Sequence, residues 1–306
     1  MKNLISLQSK GRAVLRAVFY LIFTIIIFAL LSGQSGGENS AKSYSYSEIM
    51  PASEVRAGMR GYGLSVFKGT RIEQFSVEVM GKLKSAVGES DIILVRILDG
   101  YPAYNHTGII AGMSGSPVYI NGRLIGAIGY GWGFTQVPIG GVTPIDSMMR
   151  DISKSNGKPV AVKDMPIREY KLNDAIYAGG KSYNRIIVSE SFIPPAGAAP
   201  AGTMVLSPVP SLLQVQSSSP RSYEFIKKKL EPYGISAVHV PGGASSLRNI
   251  PVDIRPGGAI GVTLVEGDLF VGGTGTVTYR NGDTILAFGH PMMQFGSTEM
   301  PLNSAY

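Results

Sequence analysis

At 306 residues, 44% hydrophobic and 16% charged, the chain is long enough for one or two domains with their own cores and too apolar to be disordered. The net charge of +7 is scattered, and the longest basic run, Lys227-Lys228-Lys229, reads as a solvated helix face. Without aromatic residues interleaved among the basic ones, a nucleic-acid partner is not expected. The absence of cysteine excludes disulfides, thiolate catalysis, cysteine-ligated zinc and a lipoprotein anchor together, and fits an exported bacterial protein.

The chain opens with Lys2, Lys10, Arg12 and Arg16, then an uncharged run of 15 residues from Ala17 to Leu31, then the small residues Ser32 to Gly37. A basic start, an apolar stretch and a small-residue exit predict a secretory signal peptide over residues 1–37. An uncleaved membrane anchor over residues 17–31 is the competing expectation, although spanning a bilayer takes about 20 residues. Either way the positive charge stays inside, so the rest of the chain is expected outside the cytoplasm, secreted or periplasmic or anchored to the membrane. Residues 38–46 read as a polar linker.

From residue 47 to 151 the text is strand-like. Gly63–Phe67, Phe75–Met80 and Ile92–Ile97 are short β-rich runs separated by glycine and charge. Then comes Ala111-Gly112-Met113-Ser114-Gly115-Ser116-Pro117, a serine between glycines, and after it Val118-Tyr119-Ile120, Asn121-Gly122 and Arg123–Ile128. Asn-Gly between two β-rich runs predicts a hairpin. Ser114 is therefore expected on a loop feeding a strand, where flanking glycines let a carbonyl approach the backbone N–H groups. The pattern differs from the Gly-x-Ser-x-Gly elbow, because Ser116 takes the fifth place and no helix follows. A glycine-rich surface turn without chemistry is the alternative. Tyr130–Phe134 reads as either a substrate wall or loop packing.

Residues 152–235, rich in proline and serine, are expected to be an irregular connector with an occasional strand at Arg185–Val188 and a short helix from Ser222 to Tyr233. Residues 236–306 turn β-like again, with runs at Ala259–Val265, Leu269–Val271 and Gly275–Tyr279. A second Asn-Gly turn, Asn281-Gly282, leads to Asp283–His290.

A serine nucleophile needs a base, and the chain holds three histidines, His106, His239 and His290. His290 is favoured because a hairpin delivers it; His106 reads as a solvated loop residue and His239 as half-buried in a strand. An acid must orient the base. Asp99, after the run Ile92–Ile97, is the candidate, with Asp146 and Asp283 as rivals and an ordinary Asp-Gly turn as its alternative. No metal-ligand spacing, phosphate loop or dinucleotide fingerprint is present, so no cofactor is expected.

Gly112–Pro117 with the hairpin behind it, and Gly275–Tyr279 through Ala287–His290, resemble the two catalytic segments of the SpoIVB-type serine peptidase family. The opening Met50–Gly63 is similar to that of large exported bacterial relatives. The resemblance implies a serine endopeptidase acting on protein or peptide through an acyl-enzyme. Ser114 would be the nucleophile, His290 the base and Asp99, fifteen residues before the serine, the orienting acid. The N–H groups of Gly112 and Ser114 would form the oxyanion hole. In the family's sporulation member the histidine comes first, whereas here it follows Ser114 by 176 residues. The expected fold is therefore a mostly β, trypsin-like double β-barrel in rearranged order, the serine half (47–151) first and the histidine segment (236–306) last and incomplete. A catalytically inactive peptidase-like barrel that binds peptide or envelope components is the alternative, and the distance between Ser114 and His290 discriminates between them.

Overall fold

A computed structural model describes residues 48–132, 138–154, 167–189, 199–210, 212–217, 219–231, 235–240, 254–267, 269–291 and 300–305. All of them lie in the unit Ser45–Tyr306. The signal peptide or anchor expected over residues 1–37 falls outside the described residues. Among those described, no helix is long and apolar enough to cross a membrane.

Six antiparallel strands close into a ring: β1 (Arg60–Lys68), β2 (Arg71–Val87), β3 (Ser90–Ile97), β4 (Pro117–Ile120), β5 (Arg123–Trp132) and β6 (Ile139–Pro144). The order is β1-β2-β3-β6-β5-β4, and β4 returns to β1 through Tyr62↔Tyr119. Closure removes the exposed edges that an open sheet would present. A short helix α1 (Tyr101–Tyr104) lies between β3 and β4, and α2 (Ile145–Lys154) follows β6. The predicted Asn-Gly turn joins β4 to β5, with both Asn121 and Gly122 at positive φ.

Strand β3 shows why Ile92 to Val95 are apolar without alternation. Ile93, Val95 and Ile97 point into the ring with Phe75, Val77 and Ile128. Ile92 and Leu94 face a second core outside it, with Ile139, Ile186, Met204 and Leu206. A strand buried on both faces needs no polar alternation.

That outer core is built by residues expected to be an irregular connector. Strands β7 (Arg168–Ala178), β8 (Lys181–Val188) and β9 (Thr203–Pro208) extend the sheet from β5, so the connector reading was too sparse. Described prolines bound elements instead of breaking them: Pro208 ends β9 and Pro220 opens helix α3 (Pro220–Leu230).

The second sheet holds β10 (Leu212–Gln216), β11 (Ser236–Val240), β12 (Ala259–Val265), β13 (Phe270–Asn281), β14 (Thr284–Ala287) and β15 (Leu302–Ser304). Its order is β11-β10-β13-β12-β15, with β14 also on β13, and the described strands do not close a second ring. β10 and β11 run parallel, joined by α3, whose Tyr223, Ile226 and Leu230 pack on Leu213 and Val215. The two runs expected at 269–271 and 275–279 are one strand, because Gly272 and Gly273 are paired on both sides.

Candidate active site

Ser114 lies in the loop before β4, on a turn tied to the ring from both ends. The Gly115 N–H donates to the Ile128 carbonyl at 2.8 Å, and the Ser116 N–H to that of Met113 at 2.9 Å. The Met113 side chain is buried in the ring's core.

Strand β13 holds the same turn from the other side. The Thr276 N–H donates to the Ser114 carbonyl at 2.8 Å and the Thr276 hydroxyl to that of Gly112 at 2.8 Å. The Thr278 hydroxyl donates to the Gly115 carbonyl at 2.7 Å. Only glycine fits at 115: φ is +92°, and a Cβ there would sit 2.1 Å from the Thr276 carbonyl oxygen.

His290 follows β14 after a tight turn in which Phe288 and Gly289 have φ of +67° and +68°. The Thr143 hydroxyl donates to the Gly289 carbonyl at 2.5 Å. That carbonyl in turn lies where a Cβ on Gly129 would be, 2.5 Å away, so the histidine turn rests on the bare backbone of β5.

These attachments bring His290 Nε2 to 2.7 Å from Ser114 Oγ. The serine hydroxyl is also hydrogen-bonded to the Phe288 carbonyl. His290 Nδ1 lies 3.0 Å from the Pro291 carbonyl. A carbonyl only accepts, so Nδ1 carries the proton that faces Pro291, and the single serine proton reaches the Nε2 lone pair when the hydroxyl turns away from the Phe288 carbonyl. Burial pushes the imidazole below its ordinary pKa, against the opposing pull of the Pro291 and Val209 carbonyls, and so favours the neutral base. Ser114 is itself fully buried. The N–H groups of Gly112 and Ser114 meet no acceptor among the described residues. Beside His290 a cleft of about 710 Å³ is lined by Ile92, Tyr130, Thr143, Met148, Arg150 and Leu286.

Asp99 is placed elsewhere. Its carboxylate accepts from the Ser76 N–H at 2.6 Å and the Ser76 hydroxyl at 2.7 Å, bracing the end of β3 against β2. Nδ1 of His290 faces Pro291 instead, so the geometry does not join Asp99 to the base. Asp146 accepts from the Ala52 N–H and pairs with Arg150, while Asp283 is exposed in the β13–β14 turn. His106 is exposed, and His239 on β11 lies 3.0 Å from the Ser217 carbonyl. Of the run Tyr130–Phe134, Tyr130 and Gly131 lie on β5 with Tyr130 buried, Trp132 packs edge-on against Tyr183, and Gly133 and Phe134 lie outside the described residues.

Residues 27–148 match the family model of the SpoIVB peptidase S55. Over that segment the chain is similar to the SpoIVB peptidase family. That segment takes in β1 to β6 and Ser114, and ends before His290. The family is one of serine peptidases, whose substrates are proteins. Comparison with curated proteins and with solved structures gave no match.

Thr143, Thr276, Thr278 and the Pro291 carbonyl went unread in the sequence. Thr276 and Thr278, two apart on an apolar strand, carried the available signal: buried hydroxyls require partners, though spacing alone does not name them.

Proposed function

We propose that this chain is an exported serine endopeptidase with Ser114 as nucleophile and His290 as general base. The observation that carries the reading is the 2.7 Å separation of Ser114 Oγ from His290 Nε2, across 176 residues of chain. Ser114 Oγ bonds to the scissile carbonyl carbon as its proton passes to Nε2. The developing oxyanion is taken by the N–H groups of Gly112 and Ser114. The C–N bond then breaks and the leaving amine receives the proton from Nε2. Water attacks the acyl-enzyme carbonyl, giving its proton to Nε2, and His290 returns that proton to Ser114 Oγ as the acyl C–O bond breaks and the acid is released. The Pro291 carbonyl holds the Nδ1 proton through both halves, the orienting role for which Asp99 was the candidate.

The closed ring, with Ser114 entering β4 and a helix after β6, supports a trypsin-like barrel for the serine half. β13 and β14 supply the histidine half, giving the rearranged order. Direct contact between hydroxyl and imidazole favours catalysis over a binding module. Export rests on the basic and apolar N-terminal segment, and mass spectrometry of the mature N-terminus tests it, distinguishing cleavage from anchoring by residues 17–31.

A fluorophosphonate probe should label the chain at Ser114. Ser114→Ala should lose that label with an unchanged melting curve, and equal labelling of the variant would reject the assignment.

A further inference from the structure

We propose that the segment Ser207–Val209 is an internal occupant of the peptide-binding edge of β5, holding the active site closed in the chain's own resting state. The inference rests on the peptidase reading and adds to it how the site rests. β9 pairs antiparallel with the end of β5, Leu206 opposite Trp132, Ser207 opposite Gly131 and Pro208 opposite Tyr130. One residue further, the Val209 N–H donates to the Gly129 carbonyl at 2.8 Å. Gly129 is the residue on which the histidine turn rests, and its neighbour Ile128 holds the serine turn. An extended peptide presented to Ser114 would need this same row of backbone groups.

Val209 is seated inward. Its side chain is 1% exposed, within the ring's core cluster. Its carbonyl acts on His290, opposing the burial that lowers the imidazole pKa. Space beside it is short. A Cβ on Gly131 would lie 3.2 Å from Ile109 and 3.8 Å from Val209, and one on Gly140 3.1 Å from Ile109. Ile109 thus occupies the room left by two facing glycines.

The occupant is not itself poised for cleavage. The Val209 carbonyl is turned to the imidazole, and the bond beyond it is to Pro210, whose ring nitrogen is a tertiary amide without N–H. Pro210 is exposed, so the chain leaves the cleft there. Displacing β9 from β5 would free this row of backbone groups for a competing peptide, which is consistent with a nucleophile that has no exposed surface.

The test follows the labelling rate of the full chain with a small fluorophosphonate and with a peptidyl phosphonate ending in valine. Val209→Gly, which weakens the seating of the segment, should be labelled at least tenfold faster than the unaltered chain by both. Added acetyl-Leu-Ser-Pro-Val-amide should slow the variant back towards the original rate. Hydrogen exchange on the unaltered chain gives a second reading: after reaction with the peptidyl phosphonate, the Ser207 and Val209 amides should lose protection. Ser114 labelling at equal rates in both chains, or amides that stay protected in the labelled protein, would overturn the internal occupant and leave the peptidase reading standing. No labelling of either chain would remove both.

Discussion

The imidazole of His290 sets the acid behaviour of the site. Burial holds its pKa below the ordinary 6.5, so the base stays neutral through neutral pH and the acid limb of Ser114 labelling should fall below that value. The same shift has a stability consequence. Below about pH 6.5 the unfolded chain takes up this proton before the folded one, so acid should destabilise the fold until the buried ring also protonates. Above that pH the residue contributes no slope. Melting curves of the unaltered chain and His290→Gln should therefore converge as pH falls through this window, and parallel curves would count against a depressed imidazole. At Gly115 the expectation is steric. Gly115→Ala adds about 1–2 kcal/mol for a left-handed backbone and about 1–3 kcal/mol for overlap with β13, which denaturant unfolding should register.

Among elements, β13 does what no segment of the serine half does alone. It donates to the carbonyls of Gly112, Ser114 and Gly115, and through Thr276 receives the Phe288 N–H of the histidine turn. One strand therefore sets both reacting groups. Replacing Thr276 or Thr278 by valine keeps the shape but strands a buried carbonyl, at a cost of about 1–3 kcal/mol. We expect Thr276→Val to slow Ser114 labelling by more than its melting temperature alone accounts for, because Gly112 is then free to turn its N–H away. Thr276→Ser should restore the rate. Equal rates for Thr276→Val and the unaltered chain would reduce the strand to a structural prop.

For the whole molecule, the ring and the second sheet meet at the chemistry itself. Ser114 belongs to one and His290 to the other, so the serine half has a core but no base. A chain cut between residues 155 and 166 illustrates the dependence: the N-terminal piece alone should resist fluorophosphonate, and mixing with the C-terminal piece should restore labelling at Ser114. Labelling of the isolated piece at the full rate would mean that another group activates the serine.

The strands of the ring, the Asn121-Gly122 hairpin and the serine turn were legible because each is written in neighbouring residues: apolar period, turn chemistry, glycines around one hydroxyl. His290 was singled out as a histidine beyond a hairpin, and the choice among three histidines already leaned on local context. Asp99 was assigned by its distance along the chain, but its carboxylate is satisfied locally by Ser76 and the imidazole finds a backbone carbonyl instead. Backbone groups have no signature in the side-chain alphabet, so no reading of residue types would have named Pro291. The strands of the supposed connector were hidden for a related reason, since proline marks where an element stops and says nothing of which sheet it joins. Local propensity decided the parts; long-range pairing across β5 and β13 decided that a hydroxyl and an imidazole from opposite ends of the chain should touch.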